Sequence, residues 1–580
     1  MALAGGALLM ACNAILGIDD GYHTVGKGNG GTSGANGGNG ATGGSSGTSG
    51  SIGNHGGTSG SGNAGNAATG ATGQAGDGDA GSGDTTGAAG TGTSGNGGSG
   101  ASATGGSSAT GGTGGTGGSS VGSGGTAGDA GQAGQGGPPE VTNALVTSAI
   151  SAYWQTTTWT ESSNSPTVTV DDTDVLQNWD GFGMAFTEGG ADELMALSTT
   201  KRNQVLNLLF GADGAHFAWA RIPIGANGYA LDRYTEDETV GDLALSDFSI
   251  ERDMNVLIPA IKAAQAVNPA LRFWASAWTP PTWMKTNGDF DRGNVKVDAS
   301  TLQAYADYFV KFIKAYAAAG IPIELVALQA DPSVQADYPS CGWSTAGMTA
   351  FIADYLGPEL EDASVDADVM LGNLSDSTYD PPFVQAVMAD TNAKKHVKVL
   401  GYQWSMLSAV ANDKSYGLPI WQTEHQSGNY PWMASSYVTV APNDHAYAVE
   451  SWGLIRQWIA AGVTQYSAWH AMLDKVGRGL DETRQWAQNS LITIDRNAST
   501  HYETPAFYVF RHFSQFVDPG AKVIGTSAAA NALAFKNPDG SLVAVMYNSG
   551  PATTYTVAIG GKNLDFPMPG NGWATLKLVN

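Results

Sequence analysis

Two apolar stretches that each end in a carboxylate constrain the fold of this chain more than any other feature. The stretch 418–432, LPIWQTEHQSGNYPW, reads as a short buried strand with Glu424 at its end. The stretch 321–343 also begins with an apolar strand, and Asp331 stands at the C-terminal end of that strand, before Pro332. The two carboxylates are 93 residues apart (424 − 331), close to three β-α units of roughly 30 residues in a barrel. Such a barrel places both side chains at its mouth, on the fourth and seventh strands.

Strand and helix patterns alternate along the middle of the chain. The segment 444–461 predicts a helix, because Trp452, Ile455 and Ile459 recur at helical spacing after a Pro-Asn-Asp start signal. Eight strands that alternate with helices predict an α/β fold of the (β/α)8 TIM-barrel type. The predicted strands are 181–186, 216–224, 272–277, 321–329, 368–372, 397–402, 419–423 and 463–469.

Both ends of the folded region are rich in strands. Residues 141–170 are rich in Thr, Val and Trp and alternate apolar with polar residues in places, as in TVTVDD. After the helical stretch FYVFRHFSQFV, the sequence predicts a hairpin turn at 537–540, which reads NPDG. We predict that strands from both ends form one side β-sandwich. The predicted segments are 138–178 for its N-terminal strands, 179–503 for the barrel, and 504–580 for the last helix and the C-terminal strands.

The first 137 residues have a composition that does not form a packed core. Residues 21–137 are almost wholly Gly, Ser, Ala, Thr and Asn, so they predict a disordered tether that cannot offset its ordering entropy. Residues 1–20 predict a leader, in which LMAC resembles a bacterial lipoprotein box with Cys12 as the lipidated residue. The basic n-region is absent, since the first Lys is Lys27, and the alternative is an incidental Cys in an apolar leader. Lipidation of Cys12 leaves Cys341 without a disulfide partner, and we predict a packing role for it.

The surroundings of the two carboxylates suit a sugar site. Trp421, Tyr430 and Trp432 flank Glu424 in sequence, and aromatic faces stack on sugar rings while a carboxylate can attack an anomeric carbon. A carboxylate pair on the fourth and seventh strands is what a retaining glycosidase uses, one as acid/base and one as nucleophile. The alternative is a structural carboxylate that caps a strand end or forms an ion pair.

Seven motifs carry a family resemblance through their order and spacing. From about residue 141 to residue 580 the chain resembles glycoside hydrolase family 30, which includes glucosylceramidases, glucuronoxylanases, β-1,6-glucanases and β-1,6-galactanases. The resemblance implies retaining hydrolysis of β-linked glycans, with Glu424 as the nucleophile and Asp331 at the acid/base position. The motifs are DGFGMAFTEGGA from Asp180, RIPIG from Arg221, SAWTPPTWMKTNG from Ser276, YPSCGW from Tyr338, GYQW from Gly401, WQTEH from Trp421 and TPAFYVFRHFSQFVDPGA from Thr504.

One position departs from the family pattern. The family usually has Asn-Glu-Pro where this chain has Ala330-Asp331-Pro332. Asp is one methylene shorter than Glu, so on an unmoved backbone its carboxyl retreats by roughly 1–1.5 Å. Three outcomes stay open: a backbone shift preserves retention, a water in the gap weakens protonation or changes the mechanism, or the barrel is retired and only binds glycan. A further alternative is that the Gly/Ser/Thr tract itself is the adhesive element and that the barrel is only its cargo.

The remaining site residues are predicted from strand-end positions and from the resemblance. Arg221 is expected to pair with Glu424 and keep it ionised, and the alternative is a purely structural ion pair. Glu188 is expected to support the site without donating a proton. His425 is expected to pack, because neighbouring side chains on a strand point to opposite faces. The predicted substrate-binding residues are Arg221, Trp278, Tyr402, Trp404 and Trp469.

Composition and motifs restrict the partners of this protein. A net charge of −25 argues against a nucleic-acid partner. The sequence contains no HExxH, no paired CxxC, no Walker loop and no GxGxxG before a helix, so we predict no cofactor and no metal. The predicted partner is a carbohydrate substrate, with a membrane contacted only through the lipid anchor. We expect a monomer in the extracellular space or at the cell surface, as a bacterial outer-membrane lipoprotein.

Overall fold

The structure is a computed structural model that describes residues 142–428, 440–481, 486–527 and 531–579. The predicted leader 1–20, the predicted tether 21–137 and Cys12 lie outside the described residues. Among the described residues, no helix combines the length and the apolar composition that crossing a bilayer requires. The strands, numbered along the chain, are β1 (Ala144–Ala149), β2 (Ala152–Thr156), β3 (Thr160–Glu161), β4 (Val168–Asn178), β5 (Gly181–Ala185), β6 (Trp219–Ile224), β7 (Arg272–Ala277), β8 (Ile323–Ala327), β9 (Asp368–Leu374), β10 (Val397–Gln403), β11 (Ile420–Glu424), β12 (Gln465–Ala468), β13 (Met472–Asp474), β14 (Ile492–Asp495), β15 (Thr500–Glu503), β16 (Lys522–Thr526), β17 (Ala532–Lys536), β18 (Leu542–Asn548), β19 (Thr553–Ile559), β20 (Lys562–Met568) and β21 (Gly572–Leu578).

Strands β5 to β12 form a closed parallel barrel in sequence order, with β12 paired to β5. All eight coincide with predicted strands to within a few residues, and the predicted (β/α)8 barrel is confirmed. Apolar side chains, most of them large, fill the interior of the barrel, as close-packed cores require. These buried residues are Trp219, Trp274, Leu325, Ala327, Met370, Val399 and Trp421.

Helices surround the barrel, and side-chain caps fix where several of them begin. Asp444 accepts a hydrogen bond from the Tyr447 backbone N–H at 3.0 Å, so the helix predicted at 444–461 runs from His445 to Ala461. Gly462 follows the last helical residue, and its φ of +114° suits glycine. The α-helices are Glu188–Ala196, Thr199–Phe210, Glu251–Asn255, Leu257–Val267, Ala299–Ala318, Thr345–Ala350, Gly357–Asp362, Pro381–Ala389, Thr391–Lys394, Leu407–Asp413, His445–Ala461 and Pro505–Ser514.

Strands from both ends of the described chain form one 10-stranded sheet beside the barrel, in the order β2-β1-β21-β18-β17-β16-β4-β19-β20-β3. The 11-residue strand β4 joins its two halves, because it pairs with β19 at its start and with β16 further on. The predicted NPDG turn connects β17 to β18, with Gly540 at φ +84°. The predicted side β-sandwich is therefore confirmed, with a core of its own made of aliphatic residues and Phe566.

Candidate active site

A buried ion pair lies at the C-terminal mouth of the barrel. Arg221, on β6, is fully buried, and its Nη1 donates to Oε2 of Glu424, the last residue of β11, at 2.8 Å. Nη2 donates to Ser276 Oγ at 3.1 Å and to Asn373 Oδ1 at 2.9 Å. The second strand and the seventh strand thus bring together the two residues that the sequence predicted to pair.

Burial and charge pairing act in opposite directions on Glu424. Removal from water raises the pKa of the Glu424 carboxyl, and the neighbouring Arg221 guanidinium lowers it. Burial also lowers the pKa of Arg221, and the Glu424 carboxylate raises it. Each charge therefore needs the other, because an unpaired charge in this interior carries a large desolvation cost.

Two successive residues at the end of β10 hold the two carboxylates. Gln403 Nε2 donates to Asp331 Oδ1 at 3.0 Å, and the indole N–H of Trp404 donates to Glu424 Oε1 at 3.0 Å. Thr423 Oγ1 donates to Gln403 Oε1 at 3.1 Å and so fixes the orientation of that amide. An irregularity in the β10–β11 pairing brings Glu424 opposite Gln403. Both carboxylates consequently lie within reach of one strand end.

Asp331 adopts a left-handed backbone conformation, with φ of +54°. This conformation is uncommon for a residue with a side chain and needs support from its surroundings. The backbone N–H of Asp331 donates to Asn373 O at 2.9 Å. Burial, and then the charge of Glu424, raise the pKa of Asp331 to about 7. A carboxyl with this pKa can both donate and accept a proton near neutral pH.

Aromatic side chains form one wall of the site. Trp278 and Trp469 stack with ring centroids 5.8 Å apart, and the Arg221 guanidinium lies 4.1 Å from the Trp278 ring centroid. Ala330 packs against these rings together with Tyr229. Position 330, where the family resemblance implies Asn, therefore contributes a methyl group to an apolar wall.

Tyr402 is the predicted substrate-binding residue that the structure does not bring to the site. Its side chain is fully buried in the layer between barrel and helices, and its hydroxyl donates to Asp413 Oδ2 at 2.5 Å. Side chains alternate along a strand, so when Gln403 points to the mouth Tyr402 points outward. The structure therefore places Tyr402 away from the mouth, whereas the sequence predicted it among the substrate-binding residues.

The other polar residues near the mouth have structural partners. Glu188 forms an ion pair with Arg252 at 2.8 Å and accepts the backbone N–H of Leu231 at 2.7 Å. His425 Nδ1 lies 2.6 Å from the Tyr466 hydroxyl, and burial lowers its pKa to about 3. Cys341 is buried, and burial raises its thiol pKa to about 12.

Several residues that hold the site were not predicted from the sequence. Asn373 and Ser276 contact Arg221, and Ser276 Oγ also donates to Asn373 Oδ1 at 2.7 Å. Gln488 Oε1 accepts the Trp469 indole N–H at 2.9 Å and lies 2.7 Å from His470 Nε2. Ser276 and Asn373 stand at the ends of predicted strands, and this position was the signal that could have identified them.

In the described part of the chain, no group of three or more His, Cys, Asp or Glu could hold a metal ion.

We expect a double-mutant cycle to detect the buried ion pair. Arg221→Met leaves Glu424 buried without its partner and should lower the free energy of unfolding by about 3–5 kcal/mol. Glu424→Gln combined with Arg221→Met should destabilise less than the sum of the single changes. Denaturant unfolding of the wild type, the two single variants and the double variant gives the coupling energy.

Lys562→Met is the control, because it removes an exposed pair with Glu161 (52% and 65% exposed) and should cost about 1 kcal/mol at most. A coupling energy of zero between Arg221 and Glu424 would contradict this account.

Comparisons with known proteins agree with the geometry. The family model described as the glycosyl hydrolase family 30 TIM-barrel domain matches residues 179–517. The model described as the glycosyl hydrolase family 30 beta sandwich domain matches residues 520–576.

Relatives and solved structures extend over most of the folded region. The lysosomal acid glucosylceramidase of Mus musculus is 29% identical over 395 residues, which are 64% of this chain and 75% of that protein. The endo-1,6-beta-D-glucanase of Neurospora crassa is 28% identical over 421 residues, 67% of this chain and 83% of that protein. The crystal structure of SrfJ from Salmonella typhimurium has the same fold, with a TM-score of 0.68 and 24% identity, and the match covers 76% of this chain and 99% of that one. This chain belongs to glycoside hydrolase family 30.

Proposed function

We propose that this protein hydrolyses β-glycosidic bonds with retention, with Glu424 as the nucleophile and Asp331 as the acid/base. The observation that carries the proposal is that two successive residues, Gln403 and Trp404, donate hydrogen bonds to the two carboxylates at the barrel mouth. Arg221 and Trp404 hold the two oxygens of Glu424, and Gln403 holds Asp331. A carboxylate fixed by an arginine next to a carboxyl that can hold a proton is the pair that double displacement requires.

In the first step, the Glu424 carboxylate attacks the anomeric carbon and Asp331 gives its proton to the departing glycosidic oxygen. The bond between the anomeric carbon and that oxygen breaks, and a glycosyl-enzyme forms on Glu424. Formation of the ester removes the negative charge of Glu424, which had raised the pKa of Asp331. The pKa of Asp331 then falls, which suits its second role.

In the second step, Asp331 accepts a proton from water while the water oxygen attacks the anomeric carbon. The ester bond to Glu424 breaks, and the sugar leaves with its original configuration. The raised pKa of about 7 lets Asp331 carry a proton before the first step. The left-handed backbone at Asp331 and the hydrogen bond from Gln403 support an active orientation for this shorter carboxyl.

We propose a β-linked polysaccharide or glycoconjugate as the substrate, with a glucosyl unit as the first choice. The names of the mouse and Neurospora crassa relatives specify glucosylceramide and 1,6-β-D-glucan, and both contain glucose. Trp278, Trp404 and Trp469 stand beside the ion pair and are proposed to contact the sugar rings.

The catalytic roles can be tested with the full-length protein on 1,6-β-glucan, 1,6-β-galactan, xylan, glucosylceramide and aryl β-glycosides. We expect Glu424→Gln to abolish turnover, because it removes the nucleophile. Asp331→Ala should lower turnover of the glycan by about 10²–10⁴-fold, with a smaller loss on a dinitrophenyl glycoside that needs no proton. On this dinitrophenyl glycoside, azide should restore the rate of Asp331→Ala and yield a β-glycosyl azide.

Asp413→Asn serves as the control, because Asp413 binds Tyr402 in the layer between the barrel and the helices, away from the mouth. This variant should keep its turnover. Full glycan turnover by Asp331→Ala would contradict the acid/base assignment. If the wild type turns over no substrate but binds glycan, and Ala330→Asn with Asp331→Glu creates turnover, the protein is a glycan-binding barrel and not a hydrolase.

We also propose that the protein is displayed at the cell surface through a lipid on Cys12, on the strength of the LMAC motif and the Gly/Ser/Thr tract that follows it. In a bacterial host given labelled palmitate, the wild type should incorporate the label and Cys12→Ser should not. Equal labelling of the two proteins would refute the assignment of Cys12.

A further inference from the structure

The end of the fifth barrel strand, β9, contacts the groups around both proposed catalytic carboxylates. Its residue Asn373 accepts the backbone N–H of Asp331 through its carbonyl oxygen at 2.9 Å. The side-chain oxygen of Asn373 accepts Nη2 of Arg221 at 2.9 Å, and Arg221 binds Glu424. One residue thus fixes the backbone of the acid/base and the arginine on the nucleophile.

Ser375, two residues further on, connects the same strand end to Trp404. Its carbonyl oxygen accepts both the backbone N–H and the hydroxyl of Ser405, at 3.1 and 3.0 Å. Ser405 directly follows Trp404, whose indole N–H donates to Glu424 Oε1. The position of Ser375 therefore affects the second hydrogen bond to the nucleophile.

The buried side chain of Asp380 binds the backbone at the end of β9. Its side chain is fully buried, and Oδ2 accepts the backbone N–H of Ser375 at 2.7 Å and that of Asp376 at 2.9 Å. The backbone N–H of Asp380 donates to Asp376 O at 2.8 Å and closes the loop. Without the carboxylate, two buried or half-buried backbone donors would lose their partner, which is costly and would release the loop.

We propose that Asp380 is a positioning residue that aligns Asp331 and Glu424 by pinning the C-terminal end of β9. The inference rests on the proposed function, since it assigns Asp380 a part in the same reaction. The hydrogen bonds that Asp380 accepts from Ser375 and Asp376 involve neither of the two proposed catalytic carboxylates. Asp380 acts through Asn373 on Asp331 and Arg221, and through Ser375 and Ser405 on Trp404.

The charge of Asp380 gives this role a distinct pH signature. Burial raises the pKa of Asp380 to about 6, and the charges of Asp331 and Asp380 repel each other. The other charged groups that face Asp331 are Glu424, which raises its pKa, and Arg221, which lowers it. An ionised Asp380 favours the protonated form of Asp331. Its removal should therefore lower the pKa of Asp331 and move the alkaline limb of kcat/KM to lower pH.

Two substitutions separate geometry from charge. Asp380→Asn keeps an oxygen that can accept both backbone N–H groups, so kcat should fall only a few-fold while the alkaline limb moves to lower pH. Asp380→Ala removes the acceptor, and a misplacement of about 1 Å should lower kcat by about 10²-fold. Asp298→Ala is the control, because Asp298 accepts the backbone N–H of Thr301 at 3.0 Å at the start of the helix Ala299–Ala318, outside the barrel. It should lower the melting temperature and leave kcat and the pH profile unchanged.

Crystal structures of the wild type and of Asp380→Ala make the outcome independent of turnover. We expect the Asp331–Asn373 and Trp404–Glu424 hydrogen bonds to lengthen or break in Asp380→Ala. Unchanged contacts at both places, or an unchanged kcat and pH profile in an active enzyme, would overturn the inference. If the wild type cleaves nothing, the proposed function fails, and the two structures still decide whether Asp380 positions the carboxylates.

Discussion

The buried ion pair between Arg221 and Glu424 is the interaction on which the rest of the site depends. Arg221 is fully buried, and Glu424 is only 6% exposed. Two charges in such an interior are tolerated only when geometry and hydrogen bonds satisfy both. The side chains of Ser276, Asn373 and Trp404 supply these bonds, Ser276 and Asn373 from two further strands and Trp404 from directly after a third. The barrel brings these strand ends together, and for this reason the site requires the whole fold.

The same contacts support the proposed acid/base role of Asp331, which is shorter than the usual glutamate. Its left-handed backbone, its bond to Asn373 and its bond from Gln403 fix its carboxyl close enough to Glu424 for their charges to interact. That interaction raises the pKa of Asp331, and in the proposed reaction it disappears when Glu424 is esterified. A single electrostatic coupling therefore serves both steps of the proposed reaction.

Residue patterns predicted the parts of this protein that depend on periodicity. The eight barrel strands and the pairing of Arg221 with Glu424 were readable because buried parallel strands are continuous apolar runs and their ends carry the functional groups. The position of Tyr402 differs from the expected one, because sequence does not say which of two neighbouring residues at a strand end faces the mouth. Asn373, Gln403 and Asp380 were not assigned, because their roles depend on hydrogen bonds between strands and loops that are distant in sequence. The sequence reveals that Ala330 replaces the usual Asn of the family. The apolar wall that Ala330 forms with Trp278 and Trp469 is visible only in three dimensions.

The most direct test of this account is to trap the covalent intermediate on the wild-type protein. A 2-deoxy-2-fluoro-β-glycosyl fluoride of the preferred sugar forms the glycosyl-enzyme quickly and releases it slowly. Peptide mapping by mass spectrometry then locates the attached sugar. We expect one fluorosugar, bound through an ester to Glu424. A label on another residue, or an enzyme that turns over glycan without ever accumulating a label, would contradict the assignment of Glu424 as the nucleophile.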